Sequence, residues 1–192
     1  MRKTGIAFMI TGAICIVSAL ALLLYNNAES KKAHDASSEL IESLRTVIAE
    51  NEDISVDPFD DEMRVTDIDG YGYIGYISIP ELSLNLPVMS EWDYSRLKVA
   101  PCRYYGSTKT DNLVICAHNY RRHFGYIGRL SVDSTIMFTD MEGTKLTYTV
   151  TSVEILQPTD TELVKDTGDD IILYTCTYGG RTRVVVRCEK VQ

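Results

Sequence analysis

The chain predicts an all-β domain carried behind an N-terminal apolar helix, and three observations in its 192 residues carry that prediction. Ile6 to Tyr25 is an unbroken run of twenty residues without a charge. From Gly70 onward the texture changes to short runs rich in β-branched and aromatic residues, separated by turn residues. Two of those runs, Leu82-Ser-Leu-Asn-Leu86 and Leu146-Thr-Tyr-Thr-Val-Thr151, alternate strictly between apolar and polar, as half-buried strands do.

At about 1.5 Å per residue the first run forms a helix of about 30 Å, the thickness of a hydrocarbon core. Arg2 and Lys3 precede it and the first acidic residue is Glu29, so the positive-inside rule puts the N-terminus in the cytoplasm and the remainder outside. A cleaved signal peptide is the competing reading of a basic start before an apolar core; the length of the run favours an uncleaved, single-pass anchor. Cys15 lies inside the run without a leucine-led lipoprotein-like box, and it reads as a small apolar residue.

Residues 26–32, Asn-Asn-Ala-Glu-Ser-Lys-Lys, read as a polar juxtamembrane link. Leu40, Ile41, Leu44, Val47 and Ile48 then recur at helical spacing among charges, which predicts an amphipathic helix from about Ala33 to Glu50, either a stalk or a helix docked on the domain. Asn51 to Asp69 is strongly acidic, contains Pro58, and reads as an extended connector. The chain therefore divides into 1–25, a cytoplasmic tip and transmembrane anchor; 26–69, a helical stalk and acidic linker; and 70–192, the β domain.

Within that domain, strands are expected at Tyr73 to Ile79, Leu82 to Val88, Leu113 to His118, Ile136 to Phe138, Lys145 to Leu156, Ile171 to Cys176 and Thr182 to Val191. About 120 residues of strands at this spacing predict a closed or nearly closed barrel. The charge balance, 19 basic against 27 acidic residues and a formal net charge of −8, argues against a nucleic-acid partner.

The chemistry-bearing stretch is Ile171-Ile-Leu-Tyr-Thr-Cys176, followed by Thr177-Tyr-Gly-Gly180 and a returning strand. This is a hairpin with a thiol at its rim. Arg181 and Arg183 share one side of the returning strand, because side chains alternate with a period of two, so at least one can face the thiol. A guanidinium there favours thiolate and offers donors to an oxyanion. Upstream, Asn112-Leu-Val-Ile-Cys-Ala-His118 is an apolar strand ending on an imidazole. A Cys and a His at two strand ends with an Arg on a third suit acyl transfer through a thioester. His123, flanked by Arg121 and Arg122, is the rival base and reads as a solvated loop histidine.

At these residues the chain resembles the sortases, cysteine transpeptidases of Gram-positive cell surfaces. The likeness rests on Ala117-His118, Leu173-Tyr-Thr-Cys176, Arg183, and Gly75-Tyr-Ile-Ser-Ile-Pro80 followed by Leu86-Pro87-Val88, and it covers about residues 70 to 190. It implies an eight-stranded barrel with short helices, and it implies that Cys176 is the nucleophile, His118 the proton donor and Arg183 the oxyanion partner. It further implies cleavage of an LPxTG-like sorting signal between Thr and Gly and transfer of the acyl group to an amine, from a lipid II-type peptidoglycan precursor or a pilin lysine. The surface proteins or pilins carrying that signal would lie in a groove lined by Thr175, Thr177 and the loop residues Pro158, Leu163 and Val164. Asp57-Pro58-Phe59 resembles the lid of pilus-assembling sortases, with Asp57 and Phe59 over the site, although the chain ends at Gln192 without the C-terminal span typical of those enzymes. The loop from Gln157 to Asp170 is short where the iron-linked class carries a helical insertion, so class B-like, C-like and D-like readings stay open.

No cofactor is expected, and neither Cys-x-x-Cys nor paired His marks a zinc site. Four cysteines beyond the anchor invite a disulfide reading; Cys116 and Cys188 lie on strands and read as small apolar residues, a Cys102 to Cys116 bridge stays open without support from the sequence, and Cys176 must stay reduced to act. The rival class is a non-enzymatic anchored extracellular β-domain, pilin-like or sensory, with Cys176 and His118 structural. A cell-wall endopeptidase with Cys before His fits the order badly, and the Ser-x-Gly-Cys-x-Arg element of an L,D-transpeptidase is missing.

Overall fold

The structure is a computed structural model that describes residues 2–51, 61–165, 167–177 and 179–191. The expected lid residues Asp57 and Phe59 lie outside the described residues, as does Tyr178 in the rim turn. The chain forms two compact units, Met1–Lys32 and Ala33–Gln192.

Helix α1 runs from Arg2–Asn51. Its segment Phe8–Ala28 has a mean hydropathy of 2.3 and is long and apolar enough to cross a membrane. The polar stretch 26–32, expected to be a link, is helical. It contains neither Pro nor Gly, and its Ala, Glu and Lys residues are good helix formers, so nothing in it stops a helix.

In the second unit, Ile41, Leu44 and Ile48 of α1 are 4%, 0% and 6% exposed. The expected amphipathic face is therefore docked, against Tyr73, Met89, Ala100, Cys102, Cys116 and Met141. The Arg45 guanidinium lies over the Tyr76 ring, 5.8 Å from its centroid.

The described strands, in chain order, are β1 Thr66–Ile68, β2 Tyr71–Ile79, β3 Leu84–Met89, β4 Cys102–Tyr105, β5 Leu113–Ala117, β6 Thr135–Asp140, β7 Lys145–Leu156, β8 Ile171–Cys176 and β9 Arg183–Lys190. Their lateral order is β1-β2-β3-β4-β5-β8-β9-β7-β6, and β2 also pairs with β6. That last pairing closes eight strands, β2 to β9, into a barrel, with β1 as an extra strand on one end of β2. The expected all-β, eight-stranded barrel with short helices is the fold observed; apart from the docked part of α1, the described helices of the second unit are short 3₁₀ turns such as Thr161–Val164.

Closure depends on β2 changing partners along its length. It meets β1 at Tyr71 to Tyr73 and β6 at Gly75 to Ser78. At the change-over Gly75 has φ of 144°, and a Cβ there would lie 2.1 Å from the Thr139 carbonyl oxygen. Only glycine lets the two backbones approach this closely.

The barrel interior is packed by one face of β2, β3 and β5 to β9, including Ile74, Ile77, Leu113, Ile115, Phe138, Ile171, Leu173 and Val186. It is a filled core and not a lumen. Ligand chemistry is left to the outer face.

If α1 is structural to the barrel unit, Leu44→Ala in the detergent-solubilised chain should lower unfolding stability by about 2–5 kcal/mol, the usual cost of truncating a buried Leu. Glu39→Ala, on the exposed side of the same helix, should change it by under about 0.5 kcal/mol. Urea unfolding followed by circular dichroism distinguishes the two, and equal effects would show that the helix is not packed against the barrel.

Candidate active site

Strands β5 and β8 are parallel neighbours with Leu113 beside Ile171, Cys116 beside Tyr174 and Ala117 beside Thr175. Strand β9 runs antiparallel on the other side of β8 and places Arg183 directly opposite Cys176. Alternation sorts these residues: Leu113, Ile115, Ala117, Ile171, Leu173, Val186 and Cys188 belong to the interior core. Val114, Ile172 and Val185 cluster on the outside, and by the same period of two so do Cys116, Tyr174, Cys176 and Arg183. One more step of the β5–β8 register brings His118 beside Cys176. His118, Cys176 and Arg183 thus stand side by side on the outer face of three adjacent strands, with the thiol in the middle and about 5 Å between neighbouring strands.

The rim is tied laterally beyond the ladder. Thr175 Oγ1 donates to the Ala117 carbonyl at 2.8 Å, and Asn119 Nδ2 donates to the Thr177 carbonyl at 3.3 Å. Thr177 and Thr182 close the hairpin, with the Thr177 N–H donating to Thr182 O at 3.0 Å and the two hydroxyls 2.9 Å apart. Gly179 and Gly180 have φ of 81° and 71°, the left-handed conformation that this turn requires. Arg183 Nη1 donates to the carbonyls of Gly180 and Thr182, both at 3.1 Å, which fixes the guanidinium near the rim.

His118 is half-buried, and its ring stacks on Tyr120 at 4.9 Å with 27° between the planes. Burial, with the nearby Lys98 charge as a smaller cause, holds its imidazole below the usual histidine range. The loop after β5 folds back tightly: Phe124 N–H donates to the His118 carbonyl at 3.2 Å, and Gly125 N–H to the Tyr120 carbonyl at 2.9 Å. A Cβ on Gly125 would meet the Asn119 carbonyl at 2.5 Å.

The residues expected from sequence separate into three groups. His118, Cys176 and Arg183 are brought together. Thr175 is 3% exposed, on the interior side, and its hydroxyl is engaged with Ala117, so the side chain serves the sheet and not a bound peptide. Thr177 is half-buried at the rim and is occupied with Thr182. In the loop, Pro158 and the 52%-exposed Leu163 remain open, whereas Val164 is 4% exposed and packs on Val114, Ile172 and Val185.

His123 is not solvated as expected. It is fully buried, its backbone N–H donates to the Tyr120 carbonyl at 3.0 Å, and its ring lies 5.5 Å from that of Tyr120. Phe124 and Ile127, both in the barrel core, draw the segment inward despite the flanking arginines. Arg181, beside the glycines of the turn, is exposed.

Three positions were not picked out from the sequence. Tyr120 supports the His118 ring. Tyr174, two residues before Cys176 on the same face, makes an edge contact with Tyr104 at 5.4 Å and, with Arg183, Leu156 and Asp160, lines a small depression beside the thiol. Arg187 holds the loop: Nη1 donates to Asp169 at 2.7 Å, Nη2 to the Leu163 carbonyl at 2.8 Å, and Nε pairs with Glu154. The period-two rule alone places Tyr174 beside the site; Arg187 needed the loop's return path.

The sortase family model matches residues 77–191, more than half of the chain. The chain belongs to the sortase family. Its barrel is similar to that of sortase C1 from Streptococcus agalactiae, with 28% identity and a TM-score of 0.57 over 66% of this chain and 71% of that one. Sortase C-3 from Streptococcus pneumoniae shares the fold at 22% identity, TM-score 0.58, over 84% of each chain. So does sortase A from Corynebacterium diphtheriae, at 20% identity and TM-score 0.58, over 91% of this chain and 96% of that one. A search of curated proteins found no match. Family membership makes this sortase a cysteine transpeptidase by class, and its N-terminal apolar helix is consistent with the membrane association of the family.

A depressed imidazole pKa has a definite sign in stability. The unfolded chain takes up the His118 proton first as pH falls from the ordinary value near 6.5, so this contribution to stability is full above that value and is lost between it and the lower folded midpoint. An NMR titration should therefore place the His118 midpoint below about 6.5, and Lys98→Ala should raise it by removing a repelling charge. A midpoint above the ordinary value, or one indifferent to Lys98, would contradict this half-buried placement beside a lysine.

Proposed function

We propose that this sortase is a single-pass membrane enzyme, N-terminus inside and barrel outside, that cleaves an LPxTG-like sorting signal between Thr and Gly through a Cys176 thioester. The support for this reading is one observation: the outer-face adjacency of His118, Cys176 and Arg183 on β5, β8 and β9. The order matters as much as the proximity. With a peptide carbonyl over the central thiol, its oxygen can turn toward Arg183 on one side while the leaving nitrogen turns toward His118 on the other.

His118, held neutral by burial, takes the thiol proton and returns it to the leaving amine once the tetrahedral intermediate collapses. Arg183 spends two N–H groups of Nη1 on the turn carbonyls. Its three other N–H groups remain for the substrate carbonyl and the oxyanion that develops from it. The depression lined by Tyr174, Leu156 and Val185, together with exposed Leu163 and Pro158, offers apolar surface to a Leu-Pro segment. The acyl group then passes to an amine, from a lipid II-type precursor or a pilin lysine, and the donors are surface proteins or pilins bearing the signal.

A transpeptidation assay with an LPxTG peptide and an amine acceptor tests the assignment. Cys176→Ala should abolish product and His118→Ala should be nearly as severe, both with the fold retained. Arg183→Lys should lose about a hundredfold to a thousandfold in rate, because an ammonium cannot reproduce the planar fork at a carbonyl. Arg181→Lys should be close to neutral. Product from Cys176→Ala at more than a few per cent, or the reverse ranking of the two arginines, would overturn these roles.

A further inference from the structure

The structure holds two buried thiols that the proposed chemistry does not use and that face each other across a strand pair. Cys102 of β4 and Cys116 of β5 are direct partners in the antiparallel register. Partners of this kind have Cα atoms about 4.5 or 5.5 Å apart, depending on whether they exchange hydrogen bonds, and both values fall within the disulfide range of about 4.4–6.8 Å. Both side chains lie on the outer face in the cluster beneath Leu44 and Ile48 of α1, at 0% and 3% exposure. Cys116 Sγ already reaches across the pair to the Cys102 carbonyl at 3.5 Å, and Cys102 Sγ donates to Ala100 O at 3.5 Å. A side-chain rotation at each residue, without a change of register, brings the sulfurs together.

The two remaining cysteines of the barrel have no such partner. Cys188 points into the barrel interior, opposite Ile171 and Val150. Cys176 stands beside His118 and opposite Arg183; Cys116 is beside Tyr174, so Cys176 is a diagonal neighbour of Cys116 at about 7–8 Å, beyond bridging distance. One pairing of the four is geometrically allowed.

We propose that Cys102 and Cys116 form a disulfide in the mature protein. This depends on the barrel lying outside the cell, as proposed above from the N-terminal anchor, where thiols meet an oxidising milieu. The oxidant is a disulfide, carried by an exchange protein or a glutathione-type small molecule. One cysteine thiolate attacks it to give a mixed disulfide and release one oxidant thiolate, the second cysteine thiolate displaces the oxidant's remaining sulfur, and the two protons given up by the cysteines end on the oxidant's sulfurs, which leave as two thiols. Burial pushes both thiols up, Cys116 to about 12, so the folded protein presents almost no thiolate at either position. The bridge therefore forms before α1 closes over the pair, and once formed it is shielded from reductants. It ties β4 to β5 two residues before His118 and leaves Cys176 as the one outer-face thiol of the barrel among the described residues.

The test is a thiol count on the full chain. Protein taken from cell membranes directly into denaturant and alkylating agent, without reductant, should show Cys15, Cys176 and Cys188 alkylated and the Cys102 and Cys116 peptides linked. The same linkage should form when the urea-unfolded chain refolds with oxidised glutathione. Folded, reduced protein given that oxidant should gain the link far more slowly. Cys102→Ala should return Cys116 to the alkylated pool. Alkylation of all five cysteines, in membranes and after oxidative refolding, would overturn the pairing. Labelling of Cys176 on whole cells by a membrane-impermeant maleimide reports the placement separately. Linkage in vitro with thiols in cells and no surface label would overturn the extracellular premise, and thiols in cells with a surface label would overturn the disulfide itself.

Discussion

The parallel pairing of β5 with β8 is the constraint on which the site depends. Strand β5 carries the imidazole and β8 the thiol; they are far apart in the chain, and nothing local holds them together. A slip of one residue would turn every side chain of β8 to the opposite face and bury Cys176 in the barrel. The register is held by a filled interior, where Ile171 and Leu173 have no room to leave, and by the Thr175 hydroxyl on the Ala117 carbonyl at the rim. Thr175 therefore acts in sheet geometry, one residue from the proposed nucleophile and on the other side of the strand. The barrel that enforces this exists because β2 can pair with both β3 and β6, which in turn requires the absent side chain of Gly75.

Strands with a strong apolar or alternating signature were legible in the sequence to the residue: Lys145–Leu156 and Ile171–Cys176 have the bounds expected of them. His118, Cys176 and Arg183 could be singled out as candidates because each ends or begins such a strand. What was missed had a weaker signature. Strand β4, Cys-Arg-Tyr-Tyr, is four residues long, half-buried for most of its length and irregular in register, so neither period nor composition marks it. Strand β1 is three residues in an acidic context. His123 was misread because adjacent charge outweighed the spacing of Phe124 and Ile127, two core residues three apart that anchor the loop. The Thr175 misreading was avoidable from the pleat alone, since a residue next to Cys176 must face the opposite side. Val164 is the common case of an apolar loop residue whose own packing takes precedence over any ligand.

The reactive groups sit on the outside of the barrel, and what makes a site of that surface is what covers the rest of it. The outer face of β4, β5 and β8 is apolar almost throughout and would not stand bare in water. Helix α1 covers the part over Cys102 and Cys116, with Leu44 fully buried. The turn at Thr161–Val164 covers Val114, Ile172 and Val185, and Arg187 fixes that cover by binding Leu163 and Asp169 from the sheet. Between the two covers Cys176, Tyr174 and Arg183 are left partly open. The opening over these three side chains is thus bounded by an N-terminal helix and a late loop. Its width follows from how firmly each is held, and of the two anchors Leu44 lies far from the thiol in sequence while Arg187 reaches its loop from the strand beside it.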